Sequence, residues 1–182
     1  MVPGDWPCGA ARCHAGAADF ALVVEMPIEL RDRVVIEAPP GKVWRWLEHL
    51  PAHYRDWHPD HVSCRWIRGN GLVPGAELEV VELLHGKEHR LRMRAVSVDP
   101  GRRVDYVVFP GLTGRFELVP EGEGTALTAT LRIGVRWPVI GPVIDRLLSR
   151  ALGGRIEAIR KHQRDEGRNL KALIETADRA GE

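Results

Sequence analysis

Apolar positions along this chain switch period three times, and the switches outline the elements. Ile28 to Ala38 sets Val34, Ile36 and Ala38 against Arg33, Val35 and Glu37, which predicts a first strand ended by Pro39-Pro40. Val43, Trp46, Leu47 and Leu50 then recur at helical spacing behind a favourably placed proline. That helix stops at Pro51, and a second helical turn is expected over Ala52 to Trp57.

From Val62 onward the period is two. Val62 to Ile67, Ala76 to Leu84, Glu88 to Val98, Arg103 to Phe109, Thr113 to Val119 and Thr125 to Val135 read as strands. Turns rich in Gly, Pro and Asp join them, among them Gly69-Asn70-Gly71, His85-Gly86-Lys87 and Asp99-Pro100-Gly101. Strands at such short intervals predict an antiparallel meander. Past Pro138, Gly141 and Pro142 one apolar stripe runs Ile144, Leu147, Leu148, Ala151 and Leu152. After Gly153-Gly154 a second runs Ile156, Ile159, Gln163, Leu170 and Leu173. These stripes predict a helical C-terminus, in one kinked piece or two. The expected class is α+β, with one domain over 25–178, a disordered leader over 1–24 and a tail over 179–182.

Composition narrows the partners. The chain of 182 residues carries 26 Lys+Arg against 25 Asp+Glu, and no basic stripe interleaves with aromatics, which argues against nucleic acid. No apolar run approaches the ~20 residues of a membrane span. Three cysteines at no disulfide-framework spacing fit a reducing cytoplasm. Cys8, Cys13 and His14 lack zinc-finger spacing, and Met26 is a plausible alternative start.

Strand alternation assigns faces. Leu78, Val80, Glu82 and Leu84 share the apolar face of their strand, so Glu82 is expected to point inward, where a lone carboxylate costs several kcal/mol unless paired or bound to a cation. His89, Leu91, Met93 and Ala95 are expected inward on the next strand, with Arg90, Arg92 and Arg94 on its wet face. On the last helix His162 and Glu166 share a face with Ile159, Asn169 and Leu173. The densest chemistry lies in His53-Tyr54-Arg55-Asp56-Trp57-His58-Pro59-Asp60-His61, which sets three imidazoles and a phenol between a helix and a sheet. Imidazole is the commonest protein ligand for zinc.

The element order resembles the START-like, helix-grip superfamily that includes polyketide cyclase-like proteins. The resemblance implies a curved antiparallel sheet wrapped around a long C-terminal helix, with an internal cavity between them. Trp57-His58-Pro59-Asp60-His61-Val62, Pro74-Gly75-Ala76 with Glu82, Gly114 to Pro120, and Arg160 to Gly167 are more closely similar to the 2,4-diacetylphloroglucinol hydrolase and phloretin hydrolase family. That resemblance implies a divalent metal, typically zinc, held by His58 or His61, by Glu82 and by His162. The family's strand histidine falls at Gly114, which cannot ligate, with His61 or His89 as the compensating candidate.

The implied activity is hydrolysis of a carbon–carbon bond in an acyl-phenol or polyketide-like aromatic ketone, with His61, His53 and Tyr54 as proton relays. The ligand walls would come from Trp57, Trp66, Leu78, Val80, His89, Leu91, Tyr106 and Phe109. Two other readings share the pocket: a non-catalytic carrier of a small apolar ligand, and a metal-free polyketide cyclase or dehydratase.

Overall fold

A computed structural model of the chain describes residues 28–84, 86–134, 153 and 155–179. The leader, the Ile144–Leu152 stripe and the cysteines and histidine of 8–14 lie outside these residues, as does His85.

Seven strands form one antiparallel sheet in the order β1-β7-β6-β5-β4-β3-β2. They are β1 (Ile28–Ile36), β2 (His61–Arg68), β3 (Glu77–Leu84), β4 (Lys87–Asp99), β5 (Arg103–Phe109), β6 (Leu112–Glu121) and β7 (Gly124–Ile133). The meander therefore runs β2 to β7 with each strand beside its successor, and β1 closes onto β7. Between the two edges the chain crosses through α1 (Pro40–Glu48) and α2 (Leu50–Trp57).

His49 alone separates those helices, with φ −100° and ψ 23°. Its main-chain N–H still donates to Arg45 and Trp46 carbonyls, which ends α1, and Pro51 fits the first turn of α2, where its missing N–H has no partner to lose. Leu50, Tyr54 and Trp57 recur at four and three residues and are all buried. α1 buries Val43, Trp44 and Leu47. Trp46, expected on the apolar stripe, is only partly buried.

The last helix, α3 (Ile156–Arg179), lies against β1 and β7 and reaches α2. Leu170 and Ile174 pack into the core with Ile36, Val80, Leu118 and Leu127. Polar ties fix its pose: Gln163 Nε2 donates to the Ala129 carbonyl at 2.8 Å, Lys171 Nζ to Val35 at 2.7 Å, and Asn169 Nδ2 to Trp57 at 2.9 Å. In return the Trp57 indole donates to the Glu166 carbonyl at 2.9 Å. The helix is thereby locked to the end of α2, where the candidate site lies. Among the described residues no helix is long and apolar enough to cross a membrane.

On the outer face Glu79 is only 5% exposed. Arg65 donates to it at 2.6 Å and Arg90 at 3.0 Å. The Arg65 hydrogen bond holds its carboxyl below the usual carboxylate range. The arginines expected on the wet strand face do cover that face, with their charged ends kept in water.

Candidate metal centre

α2 ends at Trp57, and β2 begins four residues later. The His61 N–H donates to the His58 carbonyl at 3.0 Å, closing a tight turn around Pro59-Asp60. Both imidazoles are thus brought to the same side, and both residues are buried. A register irregularity follows between His61 and Ser63, a bulge of the kind that re-aims side chains beside sites. The locked α3 supplies His162. Donor atoms of His58, His61 and His162 all lie within 4.8 Å of one another.

His61 is the best-determined member. Its Nδ1 lies 3.0 Å from the Tyr54 carbonyl oxygen, which can only accept, so that nitrogen carries the proton. The second ring nitrogen, Nε2, is then the one available to a metal. That atom is buried with no hydrogen-bond partner, and the side chain is 0% exposed. Tyr54 stacks on the other side of the ring. A ring held by a carbonyl on one nitrogen, with the other lone pair free, is how histidines are prepared for metal.

His58 is less ready. The Asp60 main-chain N–H donates to its Nδ1 at 3.1 Å, and a cation would compete with that bond. Burial first, then the neighbouring His162 and His61, push the His58 pKa below the ordinary imidazole value, so the ring stays neutral where a metal ligand must be. Carboxylates flank the group. Asp60 Oδ2 lies 3.6 Å from His162 Nδ1 and 3.7 Å from His58 Nδ1. Glu166 Oε1 lies 3.1 Å from His61 Nε2 and 3.6 Å from His162 Nε2. Three imidazoles with carboxylates around them make a donor set that fits a divalent cation of the zinc type.

Other expected residues take different places. Glu82 is the cross-strand partner of His61 and accepts from the Tyr54 hydroxyl at 2.5 Å; like Asp60 and Glu166, it is not in the three-histidine group. Burial and the adjacent Glu82 push the Tyr54 phenol pKa far above the ordinary phenol value. The structure makes it a prop for His61 and Glu82. His53 stacks on Trp46 at 5.6 Å, turned toward α1.

His89 is exposed, as are Glu88 and Arg90 beside it. Its strand face is as expected, opposite Glu82, but near the β3–β4 turn no described element covers it. Phe109 is likewise 47% exposed, at the end of β5.

The cavity enclosed by the described residues is about 40 Å³. Trp66, Leu78, Tyr106 and Phe116 line it together with Leu72, Met93 and other apolar side chains. Val80 and Leu91 pack in the core cluster beside it. Its lining is almost wholly apolar, which suits an apolar group and offers water few partners. Trp57 connects cavity and centre: its ring lies 6.4 Å from Phe116 and 5.1 Å from His61. The Tyr106 phenol, raised in pKa by burial and then by Glu166 and Glu82, faces the same carboxylates.

Gly114 also has a use. A Cβ there would overlap the Tyr106 ring, its partner across β5 and β6. The absent side chain leaves room for that phenol.

Comparison with known proteins places the geometry. Residues 27–175 match the family described as polyketide cyclase / dehydrase and lipid transport. The protein TTHA0849 from Thermus thermophilus is similar at 21% identity and a TM-score of 0.61, covering 82% of this chain and 99% of that one. A START superfamily protein from Mycobacterium smegmatis is similar at 18% identity and a TM-score of 0.57, over 82% and 98% of the two chains. The polyketide cyclase-like protein Cgl2372 from Corynebacterium glutamicum matches at 18% identity and a TM-score of 0.55, over 84% and 94%. These structures share the fold. A search of curated proteins finds no match.

Proposed function

The chain belongs to the polyketide cyclase / dehydrase and lipid transport family, and from that premise we propose that it binds a small, largely apolar aromatic or polyketide-like ketone and acts on it at a histidine-held divalent metal. The observation that carries the reading is the buried, unpartnered Nε2 of His61 within reach of two further imidazoles. Glu166 Oε1 faces it at 3.1 Å without hydrogen-bond geometry.

His58, His61 and His162 would hold the metal. When bound, it supplies Lewis-acid polarisation of a carbonyl and a lowered pKa for water. The chain's own groups do the rest. Trp66, Tyr106 and Phe116 offer ring faces to an aromatic ligand, and the apolar lining excludes water. The Tyr54 carbonyl orients the His61 ring, and the Tyr54 hydroxyl donates to Glu82 and holds it in place. The reaction proposed is hydrolysis of the bond between an acyl group and a phenolic ring, as the sequence resemblance implies.

A second reading, a metal-free cyclase or dehydratase, draws on the family match and on the Tyr54–Glu82 pair, which needs no metal to exist. Chelation separates the two. Turnover of an acyl-phenol should vanish in metal-stripped protein and return with zinc; turnover that survives chelation favours the cyclase reading.

A further inference from the structure

The two tyrosines of this chain use their hydroxyls differently. Tyr54 donates to Glu82. Tyr106 has its tip laid over a missing side chain: it pairs with Gly114 across β5 and β6, and a Cβ at residue 114 would overlap the phenol Cζ and the hydroxyl oxygen itself. Phe116 flanks the same ring, with centroids 5.7 Å apart. Among the described residues the Tyr106 hydroxyl has no hydrogen-bond partner. Burial first, then the charges of Glu166 and Glu82, raise its pKa, so it stays protonated and keeps a proton to donate. An inward phenol with nothing to bond is uncommon and calls for a partner that comes from outside the chain.

The surroundings define that partner. Tyr106 lines the apolar cavity, and of the lining side chains only Tyr106 and Trp66 carry a polar atom. Both are hydrogen-bond donors, and apolar pockets fix the orientation of a ligand with a few such groups. Ring contacts lead from Tyr106 through Phe116 and Trp57 to His61, so a ligand held at the phenol lies on the route to the imidazoles. Trp66 is on β2, opposite Leu78.

We infer that the Tyr106 hydroxyl, in the space that Gly114 leaves to it, is the group by which the cavity selects an aromatic ketone over its oxygen-free counterpart, donating a hydrogen bond to the carbonyl oxygen. The inference rests on the ligand-binding part of the reading above and needs no metal. It gives Gly114 a part in specificity, since any side chain there would displace the donor.

The test titrates the full chain, with chelator present, against acetophenone and ethylbenzene, probes of similar shape that differ in the oxygen. Affinities are read by NMR, and the hydrogen bond by the infrared carbonyl stretch of bound acetophenone. Tyr106→Phe should bind acetophenone about 10-fold more weakly than wild type and ethylbenzene within about twofold. The carbonyl stretch, lowered in wild type, should rise in Tyr106→Phe and stay low in Trp66→Phe. Because the hydroxyl has no partner to lose, Tyr106→Phe should melt no lower than wild type, which a structural role would not allow. Equal loss for both probes, or a stretch that Tyr106→Phe leaves unchanged, overturns the assignment while ligand binding stands. A wild-type chain that takes up neither probe overturns the assignment and the ligand-binding reading together.

Discussion

Tyr54 and His61 lie ring on ring, their centroids 4.0 Å apart and their planes 5° from parallel. The same tyrosine meets His61 twice more, through its main-chain carbonyl at Nδ1 and through the hydroxyl that holds the histidine's cross-strand neighbour Glu82. Tyr54→Phe keeps the stack and the carbonyl but deletes the hydroxyl. It should cost about 1.5–3 kcal/mol in chemical denaturation, the range for a hydrogen bond to a charged group, while leaving zinc affinity within a few-fold. A large loss of zinc affinity would make the hydroxyl part of the centre itself.

The same pair sets an alkaline limit. The Tyr54 phenol has a raised pKa in the folded chain, so the unfolded chain ionises first. The stability tied to the protonated phenol is complete below pH ~10 and declines above it, by about 1.4 kcal/mol per pH unit. Cys64 acts in the same direction from its lower starting value, its thiol pushed up to about 12 by burial and then by Glu82. Denaturation midpoints measured from pH 8 to 11 should show the wild-type advantage over Tyr54→Phe shrinking above pH ~10. A constant advantage contradicts the assignment.

The acid side carries the opposite sign. His58 is depressed by burial and by its two neighbouring imidazoles, so it is the unfolded chain that takes up the proton first as pH falls. Metal-free protein should lose stability below pH ~6.5, and His58→Gln should remove part of that dependence. Zinc affinity should fall over the same window, because ligand imidazoles must be neutral. Circular dichroism melts and zinc titrations from about pH 5 to 8 check both.

Gly114 and Tyr106 form a size-matched pair. Gly114→Ala drives a methyl into the Tyr106 ring and should destabilise by about 1–3 kcal/mol, the usual range for overpacking. With Tyr106→Ala in the background the penalty should shrink below ~0.5 kcal/mol, a coupling that a double-mutant cycle reads directly. Full additivity would remove this explanation of the glycine.

Much of this architecture is legible in the sequence, because period-two and helical spacing translate directly into faces. Alternation predicts a strand over Arg103 to Phe109, and β5 has those same ends. His53, His58 and His61 stand out as chemistry because three of the six described histidines fall within nine residues. What alternation cannot say is whether anything lies over a face. His89 occupies the expected side of β4, yet it is exposed near the β3–β4 turn.

The carboxylates are harder still. Glu82 stands out as a charge on an apolar strand, whereas Glu166 looks like any polar residue of an amphipathic helix. Its meaning depends on the rotation of α3, and that is fixed by Asn169, Gln163 and Trp57 bonds spanning 34 to 112 residues of sequence. Gly114 is visible in the sequence only as a missing ligand, because its partner Tyr106 is known only from the β5–β6 register.

We propose that three histidines brought together by a tight turn and a locked helix bind a divalent cation. Zinc titration of the metal-stripped chain, compared with His58→Ala, His61→Ala and His162→Ala, tests it most directly. The wild type should show one tight site per chain. The loss should be larger in His61→Ala, whose nitrogen is free, than in His58→Ala, whose nitrogen is engaged by the Asp60 amide. Absence of zinc binding in the wild type, or equal affinity in all four proteins, would contradict it.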